Sequence, residues 1–98
     1  MKYSKKLSKA LIVRRVVGDS MTPTLRQGQI IVASSLIKPA NESVVVAKLK
    51  NDREVIKRLT IDSDSDSYVL SGDNSALSTN YIDDDVREIT GCLLWPRL

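Results

Sequence analysis

Histidine is absent and cysteine occurs once, as Cys92, in a chain of 98 residues. The first absence excludes every mechanism built on an imidazole base, so any hydrolase here needs another general base. Together the two exclude zinc sites made from His and Cys clusters. A lone cysteine also excludes a disulfide scaffold. Glycine (4) and proline (3) are too few for a collagen-like or low-complexity chain. Aromatic residues make up 4%, which leaves little for stacking on nucleic-acid bases. Long apolar runs are missing too. The best, Leu11 to Val17, is broken by Arg14 and Arg15, far short of the ~20 residues that span a bilayer. The basic start MKYSKKLSKALIVRRVV lacks the apolar core and cleavage site of a signal peptide. The chain therefore reads as cytoplasmic and without a transmembrane anchor.

What remains is ordinary for one compact domain: 42% hydrophobic and 28% charged residues. The charge is split along the chain. Residues 1–58 hold 13 Lys or Arg against 4 Asp or Glu; residues 59–98 hold 2 against 8. A basic half can meet an anionic membrane, or it can face the acidic half across a small fold. Residues 1–10 read as a basic N-terminal arm carrying Lys2, Lys5, Lys6 and Lys9, able to make peripheral membrane contact. Residues 11–98 read as a single domain. No nucleic-acid partner and no cofactor are expected.

The domain reads as all-β. Short β-branched runs are separated by turn residues. They are Leu11–Val17, Gln29–Ala33, Ser43–Leu49, Glu54–Ile61, Tyr68–Leu70 and Arg87–Trp95. Asn51-Asp52 reads as a hairpin turn. Helical periodicity is lacking, apart from a short turn at Thr22–Arg26. The spacing points to a small coiled or barrel-like sheet. The alternating Asp62–Ser67 stretch imitates a calcium loop, but Ser67 stands where such a loop needs Gly. It reads as a solvated hairpin loop. Ser35-Leu36-Ile37-Lys38 has the Ser-x-x-Lys spacing of penicillin-binding enzymes, but Pro39 follows and no partner motif exists. Asn41-Glu42-Ser43 is a glycosylation acceptor only for a secreted chain.

Two segments carry chemistry. In Gly18-Asp19-Ser20-Met21-Thr22-Pro23 a glycine permits a sharp turn and Pro23 fixes the chain just past the serine. Ser20 can then present its hydroxyl to a groove and its N–H to an oxyanion. In Glu54-Val55-Ile56-Lys57-Arg58-Leu59, strand alternation places Lys57 on one face between Val55 and Leu59. If that face is buried, the ammonium loses hydration and its pKa falls. A neutral lysine can take a proton from serine. A snorkelling lysine is the plain alternative.

GDSMTPTL resembles the nucleophile motif of type I signal peptidases, and VIKRL resembles that family's lysine box. Ser71-Gly72-Asp73-Asn74 with Ser78 is similar to its third box, and ITGCLLWPRL to its closing strand. The order is the family's, from Val16 to Pro96. The resemblance implies a Ser-Lys serine endopeptidase of the signal-peptidase and SOS-repressor-peptidase superfamily, with an all-β coiled core. It implies Ser20 as nucleophile, Lys57 as general base, and the Ser20 N–H in the oxyanion hole. Gly18 falls where relatives place a further hydroxyl donor. Ser78 matches the serine that orients the lysine; Asp73 and Asn74 hold its loop; Met21 and Pro23 shape the site. The implied partner is a protein or peptide bound in extended form, with a leader removed from it, as in the short soluble nickel superoxide dismutase maturation proteases.

Departures accompany the likeness. The family's Asp-Ser-Arg after the third-box serine is replaced by Asn80, Tyr81 and Ile82, which puts the acid-to-Arg support of that box in question. Gln29 replaces an Asp. Two other readings stand beside the first. One is a repressor-type peptidase acting on itself or in trans, although the chain has no Ala-Gly or Cys-Gly to cut. The other is a catalytically silent module that binds an extended peptide by strand addition.

Overall fold

In the computed structural model, residues 10–98 are described. The basic arm therefore lies outside the described residues, except Ala10. Among the described residues, seven strands form one antiparallel sheet: β1 Leu11–Arg15, β2 Ile30–Ser34, β3 Val44–Leu49, β4 Glu54–Asp62, β5 Ser67–Ser71, β6 Tyr81–Ile82 and β7 Val86–Trp95. Their order across the sheet is β1-β2-β7-β3-β4-β5-β6. A 3₁₀ turn, Asp83–Asp85, follows β6. The all-β reading therefore holds, as a curled half-barrel. Among the described residues, no helix is long and apolar enough to cross a membrane.

The position of β3 follows from its composition. The run Val44-Val45-Val46-Ala47 is buried on both faces, as an uninterrupted apolar strand must be. It lies at the centre, between β7 and β4. Each face builds its own core. On one, Val45, Ala47 and Leu49 pack with Val55, Leu59, Leu70, Val86 and Cys92. On the other, Val44 and Val46 pack with Val16, Met21, Leu25, Ile31 and Ala33. The second core is roofed by the segment between β1 and β2, which also carries Ser20. The long β7 shifts register against β2 and twice against β3. Such bulges bend a strand and increase its twist, and here they help curl the sheet.

The turns match their chemistry. Asn51-Asp52 sits in the β3–β4 connection, with Asp52 at φ 69° and its N–H on the Leu49 carbonyl. Asp66 closes the β4–β5 hairpin at φ 57°, so the DSDSDS stretch forms an exposed loop. Thr22–Arg26 forms a single turn, in which the Leu25 N–H bonds the Met21 carbonyl at 2.9 Å. The short edge strand β6 was not anticipated. Two residues beside an acidic run carry no periodic signal.

Leu25 is fully buried beneath the Ser20 segment. Leu25→Ala should lower unfolding stability by about 2–5 kcal/mol, read by urea denaturation.

Candidate active site

Ser20 and Lys57 meet although 37 positions separate them. Lys57 projects from β4 on the face shared by Val55 and Leu59, and it is only 6% exposed. Its Nζ donates a hydrogen bond to Ser20 Oγ at 3.0 Å. Burial strips water from the ammonium and pushes the Lys57 pKa below its usual value; the nearby Arg53 charge pushes the same way. Ser20 is half-buried, at the start of the turn that follows Gly18. That glycine adopts φ +81°, a conformation that costs a side chain but not glycine. A Cβ there would meet nothing within 4 Å, so its requirement is conformational.

Both residues line an open cleft of about 320 Å³. One wall is Val16–Met21 and the other is Arg53–Lys57; Leu77, Thr79 and Tyr81 complete it. The β4 wall has an open edge. β5 begins pairing with β4 only at Arg58 and Ser71, so residues 54–57 pair with β3 alone. Leu59 exchanges its backbone bonds with Ser43 and Glu42 on the β3 side. By alternation, Ile56 turns its N–H and C=O toward the cleft. Among the described residues, the Ser20 N–H also donates to no protein acceptor.

The third box holds the nucleophile turn from below. The Asn74 N–H bonds the Ser20 carbonyl at 2.8 Å. Its side-chain amide donates to Thr22 Oγ1 at 3.0 Å and to the Asp19 carbonyl at 3.3 Å. Asp73 accepts from Arg58 Nε at 3.2 Å and Nη2 at 2.7 Å, and from Thr24 Oγ1. The guanidinium also reaches the Glu42 carbonyl at 2.8 Å. Arg58 and Thr24 hold the Asp73 carboxyl below the usual carboxylate range, against an opposing effect of burial. An acid-to-Arg support therefore exists here without the missing tripeptide: Arg58, next to Lys57, supplies the guanidinium.

Gly72 is required by space. A Cβ on it would lie 2.4 Å from the Ser20 carbonyl oxygen and 2.6 Å from Ser78 Oγ.

Ser78 corrects the expectation for it. Its hydroxyl accepts from the Gly72 N–H at 2.6 Å and reaches toward the Thr79 carbonyl and Asn80 Oδ1 at 3.4 and 3.5 Å. Its hydrogen bonds tie the third-box loop to itself and do not reach Lys57. The loop turns back at Gly72, so the nearest donor to the hydroxyl is backbone. Of the other expected residues, Met21 is buried in the core and lines the cleft, while Pro23 is exposed on the turn. Tyr81 reaches the cleft through β6, although Asn80 and Ile82 do not line it. Sequence reasoning missed Thr24, Arg53 and Tyr81. Only the Lys57-Arg58 adjacency was a usable signal for the clamp.

Two outcomes follow. Gly72→Ala should displace the Ser20 turn and cost about 1–3 kcal/mol, measured by denaturant unfolding. The Asp73 carboxyl has a lower pKa folded than unfolded, so its contribution is present above about pH 4 and is lost as pH falls through the folded value. The stability gap between wild type and Asp73→Asn should be full at neutral pH. It should shrink below about pH 4, as followed by thermal melts across pH 2–7.

A family model described as Peptidase S24-like matches residues 1–94. No curated protein and no solved structure matches the chain. The match covers nearly the whole sequence, and it agrees with the curled all-β sheet. The chain belongs to the Peptidase S24-like family, and so to a class of peptidases.

Proposed function

We propose that the protein is a serine endopeptidase in which Ser20 is the nucleophile and Lys57 the general base. One observation carries the reading: the buried Lys57 amine lies 3.0 Å from Ser20 Oγ, at the floor of a cleft. With the amine neutral the contact reverses, and the hydroxyl donates to the nitrogen lone pair. Lys57 takes the proton as Oγ attacks the scissile carbonyl carbon. The tetrahedral oxyanion accepts from the Ser20 N–H. As the C–N bond breaks, the Lys57 ammonium gives its proton to the leaving amine. Lys57 then deprotonates a water that attacks the ester. The acid leaves, and Ser20 and neutral Lys57 are restored.

The substrate is a peptide segment in extended form. The open β4 edge at Ile56 supports this, since an added strand would satisfy its free N–H and C=O. The opposite wall offers Val17, which is 87% exposed. We assign the substrate class as a leader or signal-type segment of another protein. Cleavage of the chain by itself has no support, because the dipeptides cut by repressor-type relatives are absent.

Incubation with a diverse peptide mixture, read by mass spectrometry, tests the reading. Ser20→Ala and Lys57→Met should each lose roughly a thousandfold or more in kcat/KM. Full activity in Lys57→Met would overturn the mechanism. Absence of cleavage by folded wild type would favour a silent binding module. The neutral form of Lys57 grows as pH rises through its lowered pKa. The rate of wild type should therefore climb with pH, with its midpoint below the usual lysine value of 10.5. Arg53→Gln removes a charge that favours neutral Lys57, so the climb should move to higher pH.

A further inference from the structure

Arg53 stands in the cleft with its charge uncompensated. The acids on either side of it are already engaged. Asp52 pairs with Arg87, and Glu54 accepts from Arg14 Nε at 2.7 Å. Among the described residues, the ion pairs of Asp52, Glu54 and Asp73 all go to other arginines, and none reaches Arg53. The backbone of Arg53, by contrast, is held. The Leu49 N–H donates to its carbonyl at 2.8 Å, and its own N–H donates to Asn51 Oδ1 at 3.0 Å. The first of these bonds extends the β3–β4 ladder by one step. Strand alternation therefore runs on from Lys57 and Val55 to Arg53, whose exposed side chain lines the cleft.

A second charge limits what can sit where. Asp19, next to Ser20 in the chain, lines the opposite wall and is also exposed. The other titratable groups of the cleft are Lys57, Tyr81 and Glu54, which Arg14 holds. With Lys57 neutral, Asp19 and Arg53 carry the uncompensated charges, one beside the nucleophile and one four positions before the base. An acidic side chain close to the scissile bond would meet Asp19 and be repelled. Close to Arg53 it would meet a guanidinium, whose planar fork holds a carboxylate by two parallel hydrogen bonds. Four positions correspond to about 13 Å along an extended chain. A peptide added to the open β4 edge keeps that spacing, because residues paired across strands share a face.

We propose that Arg53 is a specificity-determining residue, selecting substrates that carry an aspartate or glutamate about four residues to one side of the scissile bond. This role rests on the peptidase reading, and it defines the chemistry of the segment that is cut.

A pool of random-sequence peptides, capped at both ends so that only side chains carry carboxylates, tests it. The pool is cut by wild type and, separately, captured on immobilised Ser20→Ala; mass spectrometry reads both. Asp and Glu should be enriched about threefold at one position, about four residues from the cut, since an exposed ion pair is a modest interaction. In Arg53→Gln the enrichment should vanish, and in Arg53→Glu it should pass to Lys and Arg. Enrichment is a ratio within each variant, so a change in overall rate leaves it intact. Captured peptides should show the same preference for acid, lost when Arg53→Gln is combined with Ser20→Ala. Circular dichroism verifies that each variant is folded. Cuts without an enriched acid, or an enrichment that persists in Arg53→Gln, would overturn the proposal and leave the peptidase reading standing. Acid-dependent capture through Arg53 without any cutting would support the proposal and overturn the peptidase reading. Neither cutting nor capture would overturn both. A second pool, with free C-termini, separates the two sources of a carboxylate. Cuts at a fixed distance from that end, with no side-chain preference in the capped pool, would give Arg53 to a terminal carboxylate and overturn the side-chain assignment.

Discussion

The hydration that Lys57 loses is the constraint on which the site depends. An ammonium enclosed by Val55 and Leu59 is costly to keep charged, and burial shifts the balance toward the neutral amine. In the proposed mechanism the base must have its lone pair free near the working pH, and no imidazole is available in this chain to supply one. The apolar strand face that stabilises the fold therefore also lowers the pKa of the lysine. Arg53 at the near end of β4 adds to that effect without touching Ser20.

The proposed base is useful only if the hydroxyl stays within its reach. The Ser20 turn belongs to the long connection between β1 and β2, and its own residues fix it only in part. The third box supplies the rest. The Asn74 N–H holds the Ser20 carbonyl, its side chain ties Asp19 and Thr22, and Asp73 links Thr24 to Arg58. Arg58 and Lys57 are neighbours in β4 that point to opposite faces. One residue therefore supplies the amine while the next braces the turn that brings Oγ to it. Gly72 lets the two segments touch, at a separation that leaves no room for a methyl group. The unequal lengths of β4 and β5 then leave Ile56 with open backbone groups beside the same hydroxyl.

Much of this was legible in the residues. The β-branched runs placed six of the seven strands to within two residues at each end, because a half-buried pleated strand needs that composition and alternation. The pattern around Lys57 gave its face, and Gly18 with Pro23 marked a rigid turn at Ser20. Ser78 misled: the resemblance of its segment to the third box implied a partner for Lys57, yet the loop turns the hydroxyl back to the Gly72 N–H. Tyr81 and Thr24 carried no signal at all, since nothing local distinguishes a cleft-lining tyrosine from a core one.

What the sequence determined by itself is therefore local: which stretches are strands, which residues share a face, and that a lysine lies on an apolar one. Those properties are set by side chains two to four positions apart. The tertiary structure alone decided that β7 inserts between β2 and β3 and that Asp73 meets Arg58 and Thr24. Such meetings depend on how chain reversals and bulges add up over tens of residues. No short window of sequence records that sum, because each turn is compatible with several global arrangements, and only packing of the whole sheet selects among them.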